Sequence, residues 1–188
     1  MPRAGLSEDR VVEEATHLAD EGGAVTLVEV ARRLGVQVPS LYKHVDGADA
    51  LQALVAARAK RELADTLARA TVGKSGPSAV DALARAYRTW ADAHPGSYAS
   101  TLRAPSVDNA AEVAASDKAV GVLFDALAGF GLHGDDAIDA TRYCRAVLHG
   151  FVALEAANGF GLPGVDRTFE KLITALQLTL TYWPSLTI

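Results

Sequence analysis

Apolar residues recur along this chain at the three-and-four spacing of helices, and glycine, proline and small polar clusters punctuate them. Val11, Val12, Ala15, Leu18 and Ala19 mark the buried stripe of a first helix. Ser7 is placed to cap it, Glu8 and Asp9 sit near its positive end, and Gly22-Gly23 stops it. Thr26, with Glu29 three residues on, reads as a capping box. It opens a short second helix striped by Leu27, Val30, Ala31 and Leu34 and ended by Gly35. Val36-Gln37 leaves room only for a tight turn. Pro39 is tolerated only in the first turn of a third helix, which would carry Ser40, Leu41, Tyr42, Lys43 and His44. Asp46-Gly47 breaks again, with Asp46 a candidate cap for a long fourth helix over about 47–71.

Beyond the small-residue connector Val72 to Pro77 the segments lengthen. The pattern predicts a fifth helix from Ser78 to Ala93, a short sixth from Ser97 to Arg103 and a seventh from Val107 to Ala128. An eighth starts near Asp135, and a ninth, capped by Asp166, runs through Phe169, Leu172, Ile173, Leu176 and Leu180. This is an all-α chain of about nine helices. A helix-turn-helix unit over 1–50 is joined by the fourth helix to a larger helical domain over 51–188.

Composition agrees with that class. Of 188 residues 36 are Ala, hydrophobic residues make up 49% and charged residues 22%, which suits a folded, helix-rich chain and excludes disorder. The single Cys144 excludes an intramolecular disulfide framework and a Cys-rich zinc site, and it reads as a buried small residue. No run of 18 apolar residues and no signal-peptide stretch is present, so no membrane span is expected and the cytoplasm is the expected compartment. His17, His44, His94, His133 and His149 show no ligand spacing with each other or with Cys144. No phosphate loop, nucleophile elbow or dinucleotide fingerprint occurs. No enzyme activity, cofactor or metal is therefore expected.

The net charge of −5 argues against a globally basic nucleic-acid coat, but the acid is unevenly spread. Residues 26–61 carry six basic residues (Arg32, Arg33, Lys43, Arg58, Lys60, Arg61) against three acidic ones (Glu29, Asp46, Asp49), a local +3. A basic patch on an acidic protein is where DNA would sit. Two short helices joined by Leu34-Gly35-Val36-Gln37 make a helix-turn-helix whose second helix can enter a major groove. The rival readings are a hairpin that only packs, inside a helical small-molecule-binding module, or an enzyme whose helical cavity acts on its ligand.

Thr26-Leu27-Val28-Glu29-Val30-Ala31-Arg32-Arg33-Leu34-Gly35-Val36, followed by Ser40-Leu41-Tyr42-Lys43-His44-Val45, resembles the DNA-binding domain of TetR-family transcriptional regulators. The resemblance covers residues 7–55 or so. It implies a homodimeric, all-helical regulator, usually a repressor, that binds a palindromic double-stranded operator and releases it when a small molecule binds the C-terminal domain. It places Thr26 where the start of the second helix holds phosphate, and Ser40 and Lys43 as base-reading residues. Tyr42 and His44 match positions that grip phosphate or base edges, while Leu41 and Val45 match core. Gln37 stands where Ser or Thr usually caps the third helix. Pro39 replaces a polar residue, Val45 an aromatic and Ala48 a lysine.

A second resemblance covers residues 78–183. His94-Pro95-Gly96-Ser97-Tyr98, Leu148-His149-Gly150-Phe151-Val152-Ala153-Leu154-Glu155, Gly159-Phe160 and Phe169 are similar to the C-terminal domain called WHG, with Arg145 where its Trp would stand. It implies a sensing cavity between helices 5 to 8, near Trp90, Tyr98, Leu102, Phe124, Tyr143 and His149, for a hydrophobic or amphipathic effector. His149 is either a core histidine bonded to a carbonyl or a ligand contact. His149 and Glu155 lie six apart, about 600° around a helix, so they do not form a pair. Glu155 reads as ion-paired, with Arg142, Arg145 or a helix terminus as candidate partners. Helices 8 and 9 are the expected dimer interface, through Phe151, Phe169, Leu172, Leu176 and Leu180.

Overall fold

Nine α-helices and one 3-10 turn, with no strand, make up the described residues of a computed structural model that covers 5–105 and 109–186. They are α1 Glu8–Asp20, α2 Leu27–Leu34, α3 Val38–Leu41, α4 Ala48–Thr71, α5 Gly76–Ala93, α6 Pro95–Ser100, α7 Ala110–Ala128, α8 Gly134–Ala156 and α9 Val165–Tyr182. The 3-10 turn is Trp183–Ser185. The all-helical class is the one the apolar periodicity predicts.

Local chemistry explains most of the ends. The Ser7 hydroxyl accepts the Arg10 N–H at 3.3 Å, and the Thr26 hydroxyl accepts the Glu29 N–H at 3.2 Å, so both predicted caps form. Gly35, at φ 67°, closes α2, and the Val36 N–H reaches back to the Ala31 carbonyl at 3.0 Å. Three ends differ from the sequence reading. The third helix is one turn, Val38–Leu41, not a longer segment reaching His44. Pro39 starts it, Gln37 supplies no side-chain cap, and the His44 and Val45 N–H groups both turn back on the Leu41 carbonyl. The sixth helix starts at Pro95, not Ser97, because a carboxylate from α1 caps it: Asp20 accepts the Ser97 N–H at 2.6 Å and the Ser97 hydroxyl at 2.9 Å. Gly164, not Asp166, is the N-cap of α9. Val107, the predicted start of the seventh helix, lies outside the described residues. Described α7 opens where Asn109 accepts the Glu112 N–H at 3.0 Å.

The chain divides into two compact units. One holds Met1–Glu62 with Ala93–Ser116, and the other holds Leu63–Asp92 with Asp117–Ile188. The unit with the helix-turn-helix thus also holds α6 and the start of α7.

In the first unit Val11, Leu18, Val30, Leu41, Val45, Leu51 and Val55 form one apolar core that seats α2 and α3 against α1 and α4. Arg33 joins α1 to α2 from outside, meeting Glu21 at 2.5 Å, Glu14 at 3.5 Å and Glu29 at 3.7 Å. A buried ion pair adds a polar tie. The Lys60 ammonium donates to Glu112 at 2.6 Å and to the Arg103 carbonyl at 2.9 Å, and these two side chains are 5% and 2% exposed.

The second unit is held by aromatic packing. The Phe151 ring centroid lies 4.8 Å from Phe160 and 5.0 Å from Phe169, and the Arg88 guanidinium sits 4.6 Å above the Phe169 ring. Arg88 also bonds Glu155 and Asp166, and Arg85 bonds Asp81 and Glu170, so α5, α8 and α9 share two charged clasps. Glu155 is ion-paired as expected, but its partner is Arg88 of α5 rather than Arg142 or Arg145 of its own helix. Arg142 instead meets Asp139 one turn away at 2.9 Å.

Candidate nucleic-acid interface

The short α3 and the turn behind it present the sequence-predicted recognition residues. Leu41 and Val45 are buried in the core of the first unit, and they hold the intervening Tyr42, Lys43 and His44 at its surface. Tyr42 is 56% exposed and Lys43 is exposed, while His44 and Ser40 are half-buried. Gln37 and Pro39 at the start of α3 and Thr26 at the start of α2 are exposed as well. A phenol, an ammonium, an amide and a hydroxyl within seven residues form a set of donors suited to phosphates and base edges. Thr26 already spends its hydroxyl oxygen on the Glu29 N–H. Sequence reasoning missed Val28, which is 67% exposed on α2. The signal was present, since Val28 falls off the Leu27-Val30-Ala31 stripe.

The charges around this surface are not all available. Arg32 bonds Glu29 at 2.9 and 2.5 Å, Arg33 is held by three carboxylates, Arg58 meets Glu62 at 2.8 Å, and Lys60 is buried on Glu112. Hydrogen bonds from these guanidinium groups hold the Glu21 and Glu29 carboxyls below the usual carboxylate range. Of the six basic residues over 26–61, Lys43 and Arg61 meet no carboxylate among the described residues. Lys43 is therefore the open cation on the recognition turn.

In the other candidate constellation, Tyr98 and Leu102 belong to the first unit, and Trp90, Phe124, Tyr143 and His149 to the second. Trp90 and Tyr98 are buried, Leu102 is partly exposed, and Phe124, Tyr143 and His149 are half-buried. Tyr143 packs on Trp183 with ring centroids 5.5 Å apart, and its hydroxyl lies 3.5 Å from Thr179. The buried Thr141 hydroxyl on α8 has no hydrogen-bond partner among the described residues. Its only sequence signal is a hydroxyl inside an apolar stripe. Burial pushes the thiol of neighbouring Cys144 up to about 12.

Of the five residues expected at a dimer interface, Phe151, Phe169, Leu176 and Leu180 are buried inside the second unit and offer no surface to a second copy. Leu172 is half-buried. The large apolar side chains that α8 and α9 leave in solvent are Ile138, Leu154, Leu178 and Tyr182, the last three at least half exposed. Among the described residues no helix is long and apolar enough to cross a membrane, and no group of three His, Cys, Asp or Glu could hold a metal ion.

Comparison with known proteins sets this geometry in a family. Residues 80–176 match the family model of the tetracyclin repressor-like C-terminal domain. An uncharacterized HTH-type transcriptional regulator of Mycobacterium tuberculosis is 33% identical over 176 residues, spanning 92% of this chain and 81% of the relative. The chain belongs to the TetR family of HTH-type transcriptional regulators. A second member, the uncharacterized regulator YobS of Bacillus subtilis, is 35% identical over 162 residues, covering 85% of this chain and 84% of its own. Among solved structures, a TetR variant from Acinetobacter baumannii AYE in complex with minocycline shares the fold. Its TM-score is 0.68 at 21% identity, over 97% of this chain and 98% of that one.

Proposed function

We propose that this TetR-family regulator is a cytoplasmic, homodimeric repressor whose two recognition turns read a near-palindromic operator and which a small hydrophobic or amphipathic molecule releases. The observation that carries the DNA half is the turn itself, with Tyr42 and the unpaired Lys43 exposed between the buried anchors Leu41 and Val45. Thr26, Gln37, Pro39, Ser40 and His44 complete the contact set. The dimer reading rests on Leu154, Leu178 and Tyr182, apolar side chains left in water on α8 and α9. The effector reading rests on the Thr141 hydroxyl of α8, buried without a hydrogen-bond partner among the described residues. Such a group costs about 1–3 kcal/mol unless something pairs with it, which favours a ligand with a polar atom there. The minocycline bound to the solved TetR neighbour is in keeping with an effector of this kind. Trp90, Phe124, Tyr143 and His149 are its candidate walls in the second unit. The protein acts by binding, not turnover. Effector and operator then oppose each other through linkage, each weakening the other by the same factor.

Selection from a pool of random duplexes tests the reading. It should enrich a near-palindrome with half-site centres about 34–36 Å, or a multiple, apart. A pool that enriches nothing would favour the helical binding module without DNA function.

A further inference from the structure

We propose that the first unit carries a ligand site of its own, a cavity between the end of α1, α4 and α6 that takes planar aromatic monocarboxylates. This goes beyond the effector reading above, which concerns the interior of the second unit. The cavity measures about 460 Å³, within the usual range of small-molecule sites. Six of its eleven lining residues are Gly or Ala, among them Ala19, Ala56 and Ala99. Walls of such small residues are flat, a shape that suits a ring system better than a branched chain.

The polar groups decide the sign of the ligand. Gln52, Ser100 and Arg103 line the cavity, and no Asp or Glu does. The Arg103 carbonyl is committed to the buried Lys60, which anchors the backbone there, but its guanidinium meets no carboxylate among the described residues. Arg32, Arg33 and Arg58 of the same unit each hold an acid. A planar guanidinium without an acid, beside flat walls of small residues, is the complement of a carboxylate on a flat body.

The walls are preformed. Asp20 of α1 binds the Ser97 N–H and hydroxyl at 2.6 and 2.9 Å, and lies 3.2 Å from His94 Nδ1. Gly96 rests so closely on α1 that an added Cβ would lie 2.1 Å from the Ala19 carbonyl oxygen. Val55 lines the cavity and also belongs to the core that seats Leu41 and Val45. An occupant would therefore touch a side chain of the core beneath the recognition turn.

The test is a fluorescence titration of the full chain with 2-naphthoate, with 2-naphthylmethanol as the uncharged control. The site predicts saturable binding of the acid, at least about tenfold weaker in Arg103→Gln and absent in Ala99→Phe, which fills the cavity from its exposed side. Thr141→Val in the second unit should leave it unchanged. The proposal is overturned if 2-naphthoate does not saturate the protein at millimolar concentration, if Arg103→Gln or Ala99→Phe binds it as the parent does, or if the alcohol binds as tightly as the acid. It is also overturned if Thr141→Val abolishes binding, which would place the ligand in the second unit.

Discussion

The two units treat their cations differently. In the first, Arg32, Arg33, Arg58 and Lys60 are held on carboxylates, while Lys43 faces solvent beside Tyr42. In the second, Arg85 and Arg88 are closed into clasps across α5, α8 and α9, with Arg88 stacked on two phenylalanine rings. The local excess of positive charge around the helix-turn-helix is thus mostly engaged in ion pairs within the unit. What distinguishes the proposed DNA-facing surface is the open Lys43 cation and the Tyr42 phenol on a turn fixed from below by Leu41 and Val45, not a count of basic residues.

The largest effects should come from breaking the two interiors. Phe169→Ala removes the ring shared by Phe151 and Arg88 and should cost about 4 kcal/mol in denaturant unfolding. Glu112→Ala in the first unit leaves the Lys60 ammonium buried with a carbonyl alone and should cost about 3 kcal/mol. Replacing both partners by Met and Leu should recover most of that loss, because a buried ion pair repays its desolvation only when both members are present. A Glu112→Ala protein as stable as the parent would break the contrast between a polar tie in one unit and an aromatic one in the other.

Salt dependence separates the open cation from the clamped ones. Lys43→Gln should lower the slope of log K against log salt by about 0.9 for each copy that touches DNA. Arg33→Gln should leave the slope unchanged, because its guanidinium is already occupied by Glu21, Glu14 and Glu29.

The smallest effect concerns Cys144. With its thiol pushed up to about 12 by burial, iodoacetamide at pH 8 should leave the native chain unmodified and label it after unfolding. The folded state favours the neutral thiol. This contribution is therefore complete below the ordinary thiol value and is lost as the pH rises from there through about 12.

What was legible in the sequence is what local chemistry determines. Ser7, Thr26 and Gly35 announce helix ends because their partners lie within four or five residues. The α6 start was not legible, since its cap is the Asp20 carboxylate from 77 residues upstream. The pairing of Arg33 and Arg88 was hidden for the same reason, their acids arriving from other helices. On α9 the stripe Phe169-Leu176-Leu180 was read as too apolar for water, which is true, but its partners lie within the same unit. The exposure of Leu178 and Tyr182, on the other side, was not legible, because two isolated apolar positions form no pattern. In the candidate DNA surface the residue types were legible from the helix-turn-helix spacing, and their exposure followed from Leu41 and Val45 as anchors. Which cation stays open required the fold.

The most direct test of the central claim is operator binding by the Tyr42→Ala, Lys43→Ala double variant, on the duplex selected with the parent protein at moderate salt. Both side chains lie outside the core, so the unfolding transition should stay that of the parent. Binding should fall by at least about a hundredfold, from the loss of roughly 3 kcal/mol of contacts. A double variant that is folded and still binds that duplex with parental affinity would contradict the assignment of the α3 turn as the reading surface.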